Sequence, residues 1–548
     1  MSSEAGEADD ALLHKFRGSG AFCSSIVMER TSRTESLIAP VNAPPPAPTP
    51  VATPSPSKHA RLVSLDIVRG FTIALMIFVD EVGGPYATLN HSPWNNTTLA
   101  DYVMPWFLFM VGASLSMSLK KFKGTREARL RGTRFVTERA LKLFFLGVLL
   151  QGGGWIMNGY NLATMRWCGI LNRIGFAYFF AGCIELWVPE RNRERVPEYT
   201  PAAAHVAVFS DQAYKWAAAS LFVVLHLALT FGVFVPSWEA RYGYAPSLSN
   251  TTSSAPSKYL AVSERYTIAC DVRGAVATPE CSATAYFDRL LLGQEHLGVW
   301  MSKRLPECST CSPQQPGHWA PKGCEWNPQA PRWCFTHMYD PEGVLSTIPS
   351  VMSVWIGAHF GRLVAAEGIS RPRGVLTHWC ALAAALSALG WLVHFTAWPM
   401  NKQLWSTSYL LWMAGSCGAA LALVYALVDT ASPKAPPPLR TRAARLLLAP
   451  LQFMGMNAIL IFFFHGTASA LIDQLYIAAP KPGGGTLHVC KMNGVSETPC
   501  TLTWWVHEEL LAFIGDDATR HLVYVLIKIG CFMVAAWACY RKGYFWKI

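Results

Sequence analysis

Tyr102–Leu119 reads Y-V-M-P-W-F-L-F-M-V-G-A-S-L-S-M-S-L, eighteen residues without one Asp, Glu, Lys or Arg. As a helix rising about 1.5 Å per residue, it comes within a turn of crossing the ~30 Å hydrocarbon of a bilayer. Leu143–Met165 and Gln403–Val428 are equally free of charge. Comparable runs recur along the chain and predict spans at about 67–88, 101–120, 141–157, 166–187, 214–235, 343–363, 375–397, 404–428, 446–470 and 520–540. In hydrocarbon each backbone polar group must bond within the protein, which makes these runs helices. The expected fold class is all-α, a polytopic membrane bundle of about ten transmembrane helices with disulfide-bonded luminal loops. The first run is the least typical, because Asp80 and Glu81 interrupt it.

Composition agrees. Of 548 residues only 15% are charged, against about a quarter in soluble domains, and 51% are hydrophobic. The net charge of +11 raises nucleic acid as a partner. The distribution argues against it, since the basic residues cluster in short connections between apolar runs. The second connection carries Lys120, Lys121, Lys123, Arg126, Arg129, Arg131, Arg134, Arg139 and Lys142, whereas the first has no Lys or Arg between Arg69 and Lys120. Arg191, Arg193, Arg371, Arg373, Lys434, Arg440, Arg541 and Lys542 continue the pattern. Even-numbered connections and both termini are therefore expected in the cytosol. Residues 1–60, rich in Pro, Ala, Ser and Thr from Ala39 to Ser57, read as a disordered cytosolic tail, with a transit peptide disfavoured by the acidic start. Residues 61–548 form the membrane domain, with luminal loops at 236–342 and 471–519.

Cysteine supplies an independent check. Eight of the 15 fall in those two loops: Cys270, Cys281, Cys308, Cys311, Cys324, Cys334, Cys490 and Cys500. An even count on the predicted non-cytosolic side suits disulfides. Cys490 with Cys500 is the simplest pair; the other connectivities stay open. Zinc on Cys308, Cys311, Cys324 and Cys334 is the disfavoured rival, and no metal is expected. The glycosylation acceptors Asn95-Asn96-Thr97 and Asn250-Thr251-Thr252 lie on the same side. Tyr286–Leu297 and Thr503–Ile514 have apolar faces suited either to the membrane surface or to loop packing.

The densest chemistry lies between Asp80 and Trp106, D-E-V-G-G-P-Y-A-T-L-N-H-S-P-W-N followed by T-L-A-D-Y-V-M-P-W-F. A carboxylate in an apolar helix costs several kcal/mol unless it is paired or solvated. Gly83, Gly84 and Pro85 then end the helix. His91 follows in a short turn bounded by Pro and Trp. Histidine titrates near neutrality and can take a proton or act as a nucleophile. A lone loop histidine is usually solvated or structural, but this setting favours a functional one.

With these motifs the chain resembles the heparan-α-glucosaminide N-acetyltransferases and their plant and bacterial relatives. The stretches carrying the resemblance are Leu62–Gly70, Asn90–Trp94 with Ala100–Gly112, Leu171–Tyr178, Tyr286–Leu292, Tyr339–Pro349, Asn401–Ser408, Gly455–Asn457 and the terminal Phe545-Trp546-Lys547-Ile548. The resemblance implies transfer of acetyl from cytosolic acetyl-CoA to an amino sugar on the luminal side, in a lysosomal, vacuolar or other endomembrane. It implies His91 as the catalytic histidine. A second catalytic residue, asparagine in the animal enzyme, falls on Asp80, which unlike asparagine can ionise. The animal enzyme also has a luminal N-terminal domain and an extra helix where this chain has its tail.

Physically, polyanionic acetyl-CoA needs cations at the cytosolic mouth, for which Arg69, Lys142 and Arg173 are candidates, with Asn457 as a polar lining group. Arg69 and Lys142 also suit headgroup contacts. Arg173, deeper in its span, calls for an anionic partner. The acceptor ammonium must lose a proton, a task for His91 assisted by Asp80. Direct transfer and an acetyl-His91 intermediate both use the ring, with direct transfer preferred. The glycan acceptor would meet Glu81, Asn90, Trp94, Asp340, Glu342, Asn401, Lys402 and Trp405, although Asp340, Glu342, Asn401 and Lys402 equally suit helix capping. His226, His359, His394, His465 and Lys528 read as packed residues more readily than as path lining. Gly152–Gly154 reads as a bend. A homodimer is compatible with such a bundle. A transporter is one competing function, disfavoured by the lack of a visible inverted repeat; a related acyltransferase acting on another glycan or using a different acyl group is the other.

Overall fold

Helices form at all ten expected places in the computed structural model. It describes residues 62–82, 86, 89–151, 162–191, 209–243, 260–297, 305, 307–308, 327, 329–367, 371–430, 442–472, 489–492, 496–499 and 502–546. The main helices are α1 (Val63–Val82), α2 (Val103–Leu119), α3 (Arg126–Gln151), α4 (Ile170–Trp187), α5 (Ala213–Gly232), α6 (Ala283–Leu292), α7 (Ser350–Glu367), α8 (Pro372–Thr396), α9 (Thr407–Val428), α10 (Arg442–Met456), α11 (Ala458–Ile472) and α12 (Asp517–Arg541). The Gly83–Pro85 and Gly152–Gly154 breaks, and the tail at 1–60, lie outside the described residues.

Among the described residues, six segments are long and apolar enough to cross a membrane: Leu99–Phe122, Ala213–Gly232, Val344–Ala365, Pro372–Thr396, Thr407–Val428 and Asp517–Arg541. Leu447–Met456 with Ala458–Thr467 adds a seventh only as a broken span, bent by 82°. That departs from the continuous helix expected at 446–470. The bend falls at Asn457, while Pro450 sits inside α10 without ending it. A second departure is α3, which begins at Arg126 rather than near 141. From Arg126 to Lys142 the basic residues of the second connection thus ride on the helix itself.

Close backbone approach fixes the central helix pairs. A Cβ on Gly112 of α2 would lie 1.8 Å from the Val354 carbonyl oxygen of α7, and one on Gly357 would lie 1.9 Å from that of Phe109. Only glycine permits this reciprocal contact, the usual route to tight packing where no hydrophobic force drives helices together. Gly70 of α1 and Gly455 of α10 repeat the device. Large apolar side chains left outward, such as Phe145, Leu221, Phe395 and Val534, mark a perimeter suited to lipid.

Side-chain contacts sort the connections into two faces. On one, Glu185 at the end of α4 meets Lys123 (2.6 Å) from the α2–α3 link, Lys215 (3.5 Å) at the start of α5, and Arg362 near the end of α7. On the other, the link after α1 meets those before α6 and α9: the Trp94 ring N–H donates to the Val276 carbonyl (3.1 Å), and Asn401 donates to the Asn95 side chain (3.2 Å). The Asn95 carbonyl of the first glycosylation acceptor is therefore engaged, and Asn250 lies outside the described residues. Antiparallel strands Trp238–Gly243 and Leu260–Ile268 and disulfides Cys270–Cys281 and Cys308–Cys334 build up this second face. The Cys308–Cys334 bond replaces the zinc alternative; Cys311, Cys324 and Cys500 lie outside the described residues. Ser282 caps α6 by accepting from the Ala285 amide (3.2 Å), and Leu290 and Leu291 remain exposed. In the other amphipathic stretch, Leu502–Trp505 is helical and Phe513 is exposed.

Candidate active site

The 3₁₀ turn Leu99–Tyr102 leads into α2, and its Asp101 is the anchor of the site. Oδ2 of this buried carboxylate accepts from the amides of Ser92 (3.1 Å) and Thr98 (3.0 Å) and from the Thr98 hydroxyl (3.1 Å). Tyr409 of α9 donates its hydroxyl to the Asp101 carbonyl (2.6 Å). Oδ1 is left for His91, whose Nδ1 stands 2.8 Å away. Lys402 Nζ lies 3.0 Å from the same Nδ1 and 3.6 Å from Oδ1. The His91 side chain is 27% exposed, while those of Asp101 and Lys402 are at 0% and 6%. The ring is thus gripped on its Nδ1 side and reachable from solvent.

The connection before α9 clamps this turn. Gln403 donates to the Ser92 carbonyl (2.9 Å), and the Asn96 amide donates to that of Met400 (2.8 Å). The Asn401 side chain accepts from the Leu404 amide (2.8 Å), and Asn90 accepts from the His91 amide (2.8 Å). Trp405, buried, adopts φ +51°, which is uncommon for a residue with a Cβ. Its ring lies under the Arg173 guanidinium, 4.8 Å from the ring centroid. Trp94 is buried edge-on against Tyr339.

A second charged group closes the floor of this face. Arg166 grips Asp340 with two hydrogen bonds (2.5 and 2.6 Å) and also meets Glu342. Asp288 of α6 accepts from the amides of Asp340 (3.1 Å) and Val344 (2.8 Å). Burial, reinforced by Asp340, pushes the Asp288 carboxyl up to about 7. Burial also opposes ionisation of Glu342, but the charges of Arg166, Lys402 and Arg173 overcome it and hold this carboxyl at about 2.

Several expected site residues stand elsewhere. The carboxylate paired with His91 is Asp101; Asp80, 44% exposed, instead faces His465 (3.8 Å). Glu81 accepts from Lys528 (2.6 Å). Arg173 lies under the 341–347 turn, donating to the hydroxyls of Ser346 (2.6 Å) and Thr347 (3.1 Å) and to the Pro341 carbonyl (3.1 Å). Its hydrogen bonds go to neutral acceptors, while the expected anions, Glu342 and Asp340, act on it through their charge; Arg173 does not join Arg69. Arg69 donates to Ser114 (2.6 Å), and Lys142 is exposed. Asn457 holds the C-terminal segment, donating to the Tyr544 carbonyl (3.2 Å) and accepting from the Trp546 amide (3.3 Å). His226 stacks on Trp398, His359 pairs with His378 (3.0 Å), and His394 accepts from the Met400 amide (2.9 Å). Asp101, Arg166 and Asp288 escaped the reading of the sequence. For Asp101 a signal existed, since Thr98-Leu-Ala-Asp101 has capping-box spacing.

The fold and site define a class: a helical membrane protein carrying a histidine–carboxylate pair beside a lysine on its disulfide-bearing face. Residues 61–192 match the family model described as heparan-α-glucosaminide N-acetyltransferase, catalytic. The chain is 26% identical over 500 residues to the heparan-α-glucosaminide N-acetyltransferase of Homo sapiens and 25% identical over 502 residues to that of Mus musculus. Each match covers 89% of this chain and 60% of the relative, so the chain spans little more than half the length of these relatives. Together the matches support that family.

Proposed function

We propose that this chain is an N-acetyltransferase that moves acetyl from acetyl-CoA, supplied on the face with the basic connections, to a glucosaminide-type amine at the disulfide-bearing face. The observation that carries this reading is the His91–Asp101 pair. Asp101, saturated at Oδ2, has Oδ1 free to accept from Nδ1–H of His91, which leaves the Nε2 lone pair for chemistry (2.8 Å). Nε2 removes a proton from the acceptor ammonium. The freed nitrogen attacks the thioester carbonyl and sheds a second proton to solvent as the amide forms; the C–S bond breaks, and CoA leaves as a thiolate that takes the proton held on Nε2. The same carboxylate opposes the charge gained by the imidazolium. The orienting role assigned to Asp80 from the sequence passes to Asp101, and Asp80 is left to the cluster with His465, Glu81 and Lys528.

The basic connections support cytosolic termini and cytosolic entry of the donor, with Arg69 as the cation near that mouth; Lys142 lies further along α3, level with Gly175 of α4 and towards the other face. A heparan-like acceptor follows from the relatives' names alone, and a lysosomal or vacuolar membrane rests on the resemblance noted in the sequence. The test is acetyl-CoA turnover by purified protein across a panel of amino sugars, read by mass spectrometry. An N-acetylated amino sugar, lost in His91→Ala at unchanged protein level, is the expected result; full activity in that variant would refute the role of His91.

A further inference from the structure

Nδ1 of His91 has two suitors and one bonding position. As N–H it donates to Asp101 Oδ1 (2.8 Å); as a lone pair it accepts from the Lys402 ammonium (3.0 Å). It cannot do both. In the first arrangement Nε2 is a base, and in the second Nε2 carries the hydrogen and is not. A third state, the imidazolium, would set two cations 3.0 Å apart with Asp101 as the nearest anion. Lys402 is nearly buried, so water screens that repulsion poorly.

We propose that Lys402 is a positioning residue that opposes protonation of His91, and so keeps the ring able to accept a proton as the surroundings become more acidic. This rests on His91 being the base. The groups facing the ring are Asp101 from the turn before α2 and Lys402 from the connection before α9. Behind Lys402 stands Glu342, itself held by Arg166. With Asp101 ionised, Lys402 charged and His91 neutral, the trio carries no net charge at rest. Taking the amine proton makes it +1, so the proton is readily passed on to the departing thiolate or to solvent. Asp101 alone would attract a proton to the ring and leave it occupied in acid. Asp101 selects the reactive tautomer, and Lys402 sets how acidic the surroundings can become before the base is lost.

Two readouts test this. The acid limb of the kcat/KM profile reports protonation of the base in the free enzyme. Lys402→Met is expected to move it up by about one pH unit, a roughly tenfold loss well below the limb with little loss above it. Lys402→Arg, which keeps the charge, should leave the limb in place. A Lys402→Met limb that superimposes on the native one overturns the proposal. The second readout needs no activity. Carbethoxylation of His91 by diethyl pyrocarbonate, which attacks only the neutral ring, is followed by peptide mass spectrometry across pH in native protein, Lys402→Met and Lys402→Gln. Labelling is expected to fall off at a higher pH in either uncharged variant than in native protein, and coincident curves overturn the proposal. Labelling that shifts as expected while native protein acetylates no amine refutes the acetyltransferase reading and leaves the electrostatic effect of Lys402 standing.

Discussion

Asp80 and Asp101 stand at opposite ends of the first connection and meet water in different ways. Asp80, within an apolar helical run, is 44% exposed, and its partner His465 is 3.8 Å away. Asp101, at a loop–helix junction, is wholly buried with its carboxylate oxygens taken by Ser92, Thr98, His91 and Lys402. The family resemblance and a hydrophobic setting pointed to the first. Capping geometry delivers the second. A side chain becomes a precise electrostatic partner when backbone amides fix it, and a short loop ending in a helix supplies those amides.

The comparison breaks or sharpens at four positions. His91→Ala should remove nearly all transfer, a loss on the order of 10³-fold or more in kcat, measured with radiolabelled acetyl-CoA. Asp101→Asn keeps the shape but can donate to Nδ1 and so favour the unreactive tautomer; a loss of roughly 10²-fold or more is expected. Asp80→Asn should change kcat by less than about fivefold, because the exposed Asp80 does not touch the ring. Should Asp80→Asn cost as much as Asp101→Asn, the assignment of roles is inverted.

The smallest effect is on stability. Asp288 rises from an ordinary 3.8 to about 7 in the folded protein, chiefly through burial. Between those values the folded state holds a proton that the unfolded state has lost, so this contribution falls as pH rises from 3.8 to about 7 and is flat above. The thermal midpoint should therefore be higher near pH 5 than near pH 7.5, and Asp288→Asn should flatten that difference, as read by fluorescence-detected melting. A midpoint that rises with pH across this window, equally in both proteins, would contradict it.

Much of the architecture was legible because apolar runs in lipid have few folding options. The ten helical places, the two faces and the cysteine-bonded loop all follow from run length, charge placement and cysteine count. What escaped needed three-dimensional packing. Nothing local to Asn457 announces an 82° bend; it arises where α10 is pinned to α1 through Gly70 and Gly455. Arg166 read as the edge of a span, yet it closes a long-range group with Asp340 and Glu342. In the site, His91 was visible from residue type and setting. Lys402 stood out only through its motif, since the pairing of residues 91 and 402 depends on two connections meeting across the bundle.

The most direct measurement of the central claim uses sealed vesicles of known orientation, with labelled acetyl-CoA on the side of the basic connections and glucosamine enclosed on the other. The product should appear inside, and only with native His91. Product formed solely when donor and amine share one compartment would mean that no acetyl group crosses from face to face.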